Sequence, residues 1–277
     1  MTISILGCGW LGFPLGQSLL RHGYEVKGST TTESKFEIIK KNGIKPFLLS
    51  VPETIDDSSN DDFWDSDSLF LNIPPERGNS NLVVTYPEKI KSVCDRILNT
   101  DSENRIKQVI FASSTSVYPS EEGIYSEEDA DLSNTARSSG KAILKAEKLL
   151  QDYTEFNTVI LRFGGLYGYD RHPVRYLAGK EDLSSPYKPV NLIHQDDCIK
   201  IVRKFLESDS VSGVFNAVSD GHPPRETFYQ SAADHFSVEL PTFDSSTESI
   251  NRVISNEKLK REMNYKFIDP NPLDHTA

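Results

Sequence analysis

The sequence predicts an α/β protein, a doubly wound parallel sheet followed by a smaller C-terminal lobe. Two observations carry this expectation. A short β-prone run, Ile3, Ile5 and Leu6, leads into GCGWLG, where Gly7, Gly9 and Gly12 have the GxGxxG spacing and a helix-periodic segment follows. Beyond it, strand-like apolar runs alternate with helix-like ones as far as residue 217, the order that right-handed βαβ crossovers impose on a parallel sheet.

Leu11, Leu15, Ser18, Leu19 and His22 recur at helical spacing until Gly23 stops the segment. A strand is predicted over 24–28, a helix over 35–41 closed by Asn42-Gly43, and a strand over 44–49. The acidic, serine-rich stretch 56–67 reads as a surface loop anchored by Phe63 and Trp64. A buried strand over 69–73 ends at Pro74-Pro75, followed by a helix over 86–98, a strand over 108–112, a helix over 142–150 and a strand over 159–163. From Tyr167 the chain weaves between sheet and lobe: 174–179 helical, 190–193 extended, 199–206 helical, 214–217 extended, and 255–267 a closing helix and strand. The result is a Rossmann-type dinucleotide domain over 1–165, to which 190–218 returns, and a substrate lobe from 166–189 and 219–277.

Composition narrows the function. The 277 residues carry 41 acidic and 30 basic side chains, a formal net charge of -11, which repels phosphate backbones and anionic lipid. Neither nucleic acid nor membrane is an expected partner. Cys8, Cys94 and Cys198 lack CxxC spacing, so neither a disulfide framework nor a metal site is expected. No apolar run of about 18 residues and no signal-like N-terminus occurs, and a reducing cytoplasm is the expected compartment.

Each glycine of the cradle has a distinct task. Gly7 permits the tight turn, Gly9 lets backbone approach a pyrophosphate, and Gly12 lets the helix pack closely on the sheet, with the phosphates at the helix N-terminus. Cys8, Trp10 and Leu11 complete the loop. An acidic residue about 20 positions onward serves a ribose 2′-hydroxyl. Here Gly28, Ser29, Thr30 and Thr31 stand in its place, with Lys35 close behind. Hydroxyls and an ammonium suit a 2′-phosphate, so NADP is expected in preference to NAD; helix capping is the other role open to residues 29–32.

FASSTSVYP at 111–119, LRFGGLYG at 161–168, VNLIHQDD at 190–197 and VFNAV at 214–218 follow in order. With them the sequence resembles the extended short-chain dehydrogenase/reductases, the NAD-dependent epimerase/dehydratase family, in its atypical YeeZ-like branch. The resemblance implies an oxidoreductase or epimerase/dehydratase acting on a carbonyl, alcohol or sugar-nucleotide-like molecule. It also implies cofactor contacts at Asn72, Ile73, Pro74, Ser113, Phe163 and Gly164. Ser114, four residues before Tyr118, stands where the family places a catalytic serine, with Thr115 and Ser116 beside it.

The family's acid/base is a tyrosine in YxxxK, where the ammonium lowers the phenol pKa. The chain is read as lacking that pair. A gapless alignment from Ser114 puts Ser139 at the tyrosine and Ile143 at the lysine; a two-residue shift would instead bring Arg137 and Lys141. Substitutes are then sought among Tyr118, Tyr125, Tyr167, His172 and His194. His172, in GYDRHPVRY, titrates near neutrality, whereas His194 with Asp196 or Asp197 suits the start of a late helix. Arg171, Arg175, Lys180 and Arg225 give the lobe a cationic character fit for an anionic substrate. Gly165 occupies the place of the substrate-binding Asn common in sugar-nucleotide epimerases, which sets that substrate class in doubt. A non-catalytic cofactor-binding or redox-sensing protein is the alternative function, and a homodimer the expected assembly.

Overall fold

The computed structural model describes residues 1–76, 78–100, 106–208 and 210–274. In chain order it contains β1 (Thr2–Leu6), α1 (Gly12–Arg21), β2 (Glu25–Thr30), α2 (Glu33–Lys41), β3 (Lys45–Leu48), α3 (Asp61–Trp64), β4 (Ser68–Leu71) and α4 (Leu82–Leu98). Then follow β5 (Gln108–Ser114), β6 (Gly123–Tyr125), α5 (Ser138–Gln151), β7 (Asn157–Phe163), β8 (Gly165–Tyr167), β9 (Leu192–His194), α6 (Gln195–Leu206) and β10 (Gly213–Ala217). The last elements are α7 (Arg225–His235), β11 (Arg252–Ile254) and α8 (Glu257–Met263).

Seven strands form one parallel sheet in the order β10-β7-β5-β4-β1-β2-β3, as the alternation of elements requires. The order reverses between β1 and β4, where Ile3 pairs with Val26 on one side and with Ser68 on the other. Ligands of open α/β sheets bind beyond the strand ends at such a point. The apolar faces of α1, α2 and α6 cover one side of the sheet through Leu15, Leu19, Ile39, Cys198, Ile201 and Phe205. Those of α4 and α5 cover the other through Ile90, Val93, Leu144 and Leu150. Because both faces are covered, central strands such as β4 (SLFL) and β7 (NTVILRF) carry continuous apolar runs rather than alternation.

Several boundaries differ from expectation. Strand β2 runs on to Thr30, because Ser29 and Thr30 pair with Phe47 and Leu48 of β3. The stretch expected as a plain loop contains α3, and its Phe63 and Trp64 are fully buried. Helix α4 begins at Leu82 with Pro87 inside it. Asn81 accepts from the Val84 and Thr85 amides and so closes the turn before the proline. The helix expected over 174–179 is a 3-10 turn, Pro173–Tyr176. At the C-terminus the helix is present, but the strand β11 precedes it rather than follows, pairing with β6.

Candidate functional site

The glycine loop crosses the strand ends between β1 and β4. Gly7 has φ +109°, and a Cβ there would lie 2.5 Å from the Asn72 carbonyl oxygen, a backbone and a gap that only glycine accommodates. A Cβ at Gly12 would collide with the Gly7 carbonyl oxygen, so α1 can begin this close to the strand only with glycine. Gly9 differs, for a Cβ there would meet nothing within 4 Å. Its backbone borders a cavity of about 710 Å³.

That cavity is lined by Gly7, Cys8, Gly9, Trp10, Leu11, Ser29, Thr30, Thr31, Lys35, Asn72, Ile73 and Pro74, twelve of the sixteen residues expected at the cofactor. Sequence reasoning missed Ser50 and Val51 after β3, Leu166 of β8 and Arg171 beyond it, which also border it. Of the other four expected residues, Gly12 serves packing behind the loop. Phe163 is 3% exposed in the core on the α6 side. Ser113 is buried and donates to Glu147, and Gly164 is pressed against the Asn191 carbonyl, 2.8 Å from where its Cβ would be. Ser113 and Phe163 stand near the ends of β5 and β7 and Gly164 follows β7, and none of the three lines this cavity.

The hydroxyls at the end of β2 are already partly engaged. Ser29 Oγ accepts from the Gly7 amide at 2.9 Å, and Thr30 Oγ1 accepts from the Thr32 amide at 3.1 Å. Thr31 and Lys35 are exposed at the cavity edge. Thr32 occupies the cap position of α2 without a side-chain capping bond. Burial pushes the Cys8 thiol up to about 12, so Cys8 contributes its backbone to the loop rather than a thiolate. The Trp10 indole donates to Asp170 at 3.0 Å and lies 5.0 Å from the Arg171 guanidinium, which ties the loop to the segment after β8.

At the end of β5, half-buried Ser114 accepts through Oγ from the Ser116 amide at 3.1 Å and thereby caps the 3-10 turn Thr115–Val117. Its own O–H remains a donor. Thr115 is 8% exposed, and its carbonyl accepts from Arg252 at 2.7 Å. Helix α5 starts against this turn. A Cβ at Gly140 would collide with the Ser116 carbonyl, which brings half-buried Ser139 to the same end of the sheet. Ile143, one helical turn on, is 7% exposed in the core.

The titratable candidates are held away from this position. Tyr118 is 1% exposed, donates to Asn216 Oδ1 at 2.6 Å and accepts from Arg162 at 2.9 Å; burial pushes its phenol up to about 12. His172 is 1% exposed, accepts from the Val174 amide at 3.3 Å, and packs among Tyr167, Phe228 and Phe236. Its sequence position on a polar loop hides this, because the aromatics that enclose it arrive from β8 (Tyr167), from α7 (Phe228) and from the residue that ends α7 (Phe236). Tyr167 is fully buried, which raises its phenol, and Tyr125 lies against the 121–122 backbone. His194 caps α6 by accepting from the Asp196 amide at 3.3 Å, and Asp197 accepts from Tyr265 and the Ile268 and Asp269 amides.

The reading that the chain lacks YxxxK needs a correction. Tyr176 and Lys180 have that spacing, but they stand at and just after the 3-10 turn Pro173–Tyr176, exposed, and not on helix α5, which abuts the turn after Ser114. The cations expected to suit one anionic substrate are likewise not one group. Arg171 lies on Trp10, Arg175 on Phe236, and Arg225 against Tyr229 and Phe243.

No protein-family model matches the chain. It is 32% identical over 274 residues to Protein YeeZ of Escherichia coli (strain K12), covering 98% of this chain and 97% of that protein. Among solved structures, human epimerase family protein SDR39U1 with NADPH superposes at TM-score 0.75 and 16% identity, over 100% of this chain and 99% of that one. UDP-glucuronic acid 4-epimerase from Bacillus cereus, in complex with UDP-glucuronic acid and NAD, gives TM-score 0.75 at 16% identity, over 99% and 96%. At such identities the shared property is the fold. Full-length likeness to YeeZ means that this chain belongs to the YeeZ family, built on the fold that it shares with these epimerase structures.

Proposed function

We propose that the chain is a nicotinamide-dependent oxidoreductase or epimerase-like enzyme. On this reading NADP is preferred to NAD, and a small anionic carbonyl, alcohol or sugar-nucleotide-like substrate enters between sheet and lobe. The observation that carries it is Gly9, whose backbone opens onto a 710 Å³ cavity at the strand-order reversal. The residues fit the cofactor. Gly7 to Gly12 would receive the pyrophosphate at the start of α1, Thr31 and Lys35 would take a 2′-phosphate, and Asn72 to Pro74 lead on towards Ser114. SDR39U1 in complex with NADPH supports the nicotinamide reading by analogy.

A bound nicotinamide supplies hydride transfer. This chain's own part is positioning, with the Ser114 hydroxyl donating to a substrate oxygen. Tyr118 and His172 are not retained as proton donors, because each is buried and bonded within the fold. We assign the dinucleotide domain to 1–165 and 190–218 and the lobe to 166–189 and 219–277, the last three residues lying outside those described. Buried, unpaired Cys8, Cys94 and Cys198 favour a reducing cytoplasm, and a homodimer is the assembly we propose.

The engaged phenols also favour the second reading, a cofactor-binding or redox-sensing protein without turnover. Titration of NADPH and NADH, followed by a carbonyl and alcohol substrate panel in wild type and Ser114→Ala, tests both. Turnover that Ser114→Ala removes establishes the enzyme; tight cofactor binding with no turnover establishes the sensor; no binding of either nucleotide defeats both.

A further inference from the structure

A second cavity lies on the helix side of the glycine loop. It holds about 700 Å³ and shares Cys8, Gly9, Trp10 and Lys35 with the cavity described above, but Ser29, Thr30, Asn72 and Ile73 do not border it. Its floor is the outer face of α1 from Phe13 to Arg21, and its walls are α2, through Lys35 and Ile38, and α6, through Ile199, Lys200 and Arg203. Hydrogen bonds fix those walls. Gln17 of α1 donates to Asn42 Oδ1 at the end of α2 at 2.9 Å, and Arg203 Nη1 meets His22 Nε2, just beyond α1, at 2.7 Å. At the other end Gln195, the first residue of α6, donates to the Trp10 carbonyl at 2.7 Å. Helices α1 and α6 therefore run side by side in the same direction, away from the glycine loop.

The two ends of this trough differ in chemistry. Phe13 and Pro14 stand in the first turn of α1, and Ile199 in the second turn of α6. Ile268 is drawn to the same end by its amide, which donates to Asp197 at 2.8 Å, and it is exposed there, as is Ile38 of α2. Exposed apolar side chains gathered on one cavity mark a contact surface, whereas scattered ones do not. Arg21 ends α1, about 12 Å beyond Phe13 along the helix axis, and Arg203 stands one turn beyond Ile199.

Charge is also unevenly matched. In a chain of net charge -11, four cations border the trough, Arg21, Lys35, Lys200 and Arg203, against Asp170 and Asp196. Both acids are engaged, Asp170 by the Trp10 indole and Asp196 by the Tyr169 hydroxyl at 2.8 Å. Arg21 and Lys35 form no ion pair among the described residues.

We propose that the trough over α1 is a binding site for a small amphipathic carboxylate, a medium-chain fatty acid. Its tail lies on Phe13, Pro14, Ile38 and Ile199, and its carboxylate meets Arg21 beside Arg203. The volume is that of a small-molecule pocket, which is mostly apolar with a few placed polar groups. A neutral apolar molecule would leave the guanidinium of Arg21 unmatched, whereas a carboxylate accepts from it in a charge-assisted bond. This site goes beyond the proposed nucleotide site and does not depend on it.

The test is calorimetry on the full chain without nucleotide, with octanoate kept below its micelle-forming concentration. Acetate, the charge without the tail, and octyl glucoside, the tail without the charge, are titrated in parallel. Octanoate is expected to bind at one site per chain, more weakly as salt rises, and each control to bind about tenfold more weakly or not at all. Arg21→Met should weaken octanoate about tenfold, as loss of a charged hydrogen-bond partner does, while Arg21→Lys keeps most of the affinity. Ile38→Glu should abolish binding by setting a like charge against the tail. Both side chains are exposed, so circular dichroism should show both variants folded. Neither residue borders the cavity at the strand ends, so octanoate seated there would leave both variants at wild-type affinity. That result, absence of octanoate binding, or equal binding of octyl glucoside overturns the site. Failure of NADPH to bind in a separate titration would defeat the proposed function and leave this site standing.

Discussion

Glu147 and Arg162 meet at 2.7 Å with side chains 1% and 4% exposed. The carboxylate accepts from Arg162 Nε and Nη2 and from Ser113, and Arg162 Nη1 continues to Tyr118 and the Glu127 carbonyl. One ion pair therefore joins α5 to β5 and β7 at the strand end that carries Ser114. Removing one partner of such a pair leaves a buried charge alone and costs about 3–5 kcal/mol, whereas replacing both with apolar groups can be nearly neutral. Glu147→Ala is expected to lower the unfolding free energy in urea by that amount, and Glu147→Leu with Arg162→Met to recover much of it. Equal losses in the single and double variants would show that the pair is not an energetic unit.

For the glycine loop, Gly9→Val should leave the fold intact and abolish dinucleotide binding. The new side chain enters open space rather than protein, so it fills the approach to the cavity without forcing the backbone. Calorimetry with NADPH reads the loss, and circular dichroism reads the retained fold. Wild-type affinity in the variant would remove the pyrophosphate from this loop.

The glycine spacing and the alternation of elements made the sheet and twelve residues of the cavity at the strand ends legible, because both are local patterns. What escaped was set by distant partners. Arg162 lies in the LRFGG stretch, yet nothing near it in sequence announces Glu147 as its counterion. His172 reads as a loop histidine until α7 supplies Phe228 and Phe236 around it. Helix α7 itself follows two prolines and has a weak apolar stripe, with only Phe228, Ala232 and Ala233 buried, so its period is hard to see. Arg171 reads in the sequence as one of several cations suited to an anionic substrate, but its contact with Trp10 turns it towards the cavity beside the glycine loop.

Cofactor choice should follow the charge after β2. No carboxylate stands on 28–32, and Lys35 borders the cavity beside Thr31. NADPH is expected to bind more tightly than NADH, and Lys35→Ala to narrow the difference by weakening NADPH alone. Fluorescence titration of both nucleotides in both proteins decides this. Tighter NADH binding in wild type reverses the assignment.

His222 introduces a pH dependence of stability. Burial holds its imidazole below the ordinary 6.5, against the opposing pull of the Val190 carbonyl. A folded-state value below the unfolded one means that the unfolded chain binds the proton first. The contribution is therefore fully present above about pH 6.5 and is lost as the pH falls through the folded-state value. His222→Gln should flatten that acid limb of the melting temperature. An unaltered slope between wild type and variant would assign the limb to other groups.

The tyrosine gap offers the sharpest test of how α5 faces the strand ends. Gly140 abuts the Ser116 carbonyl, so residue 139 stands at the end of β5 beside Ser114, and residue 143 follows one turn along the same face. Ser139→Tyr with Ile143→Lys should restore a phenol and an ammonium to that face, where general acid/base help contributes about 100-fold to 10,000-fold. A lysine at 143 replaces a side chain that is 7% exposed in the core, so the double variant is expected to melt at lower temperature while gaining reduction of a simple carbonyl such as an aromatic aldehyde. Ser139→Tyr alone should keep wild-type stability and gain less, because its phenol lacks the activating charge. If the single variant folds and its crystal structure with NADPH shows the tyrosine directed away from Ser114, the gapless alignment is wrong, and Arg137 with Lys141 takes the place of the family pair.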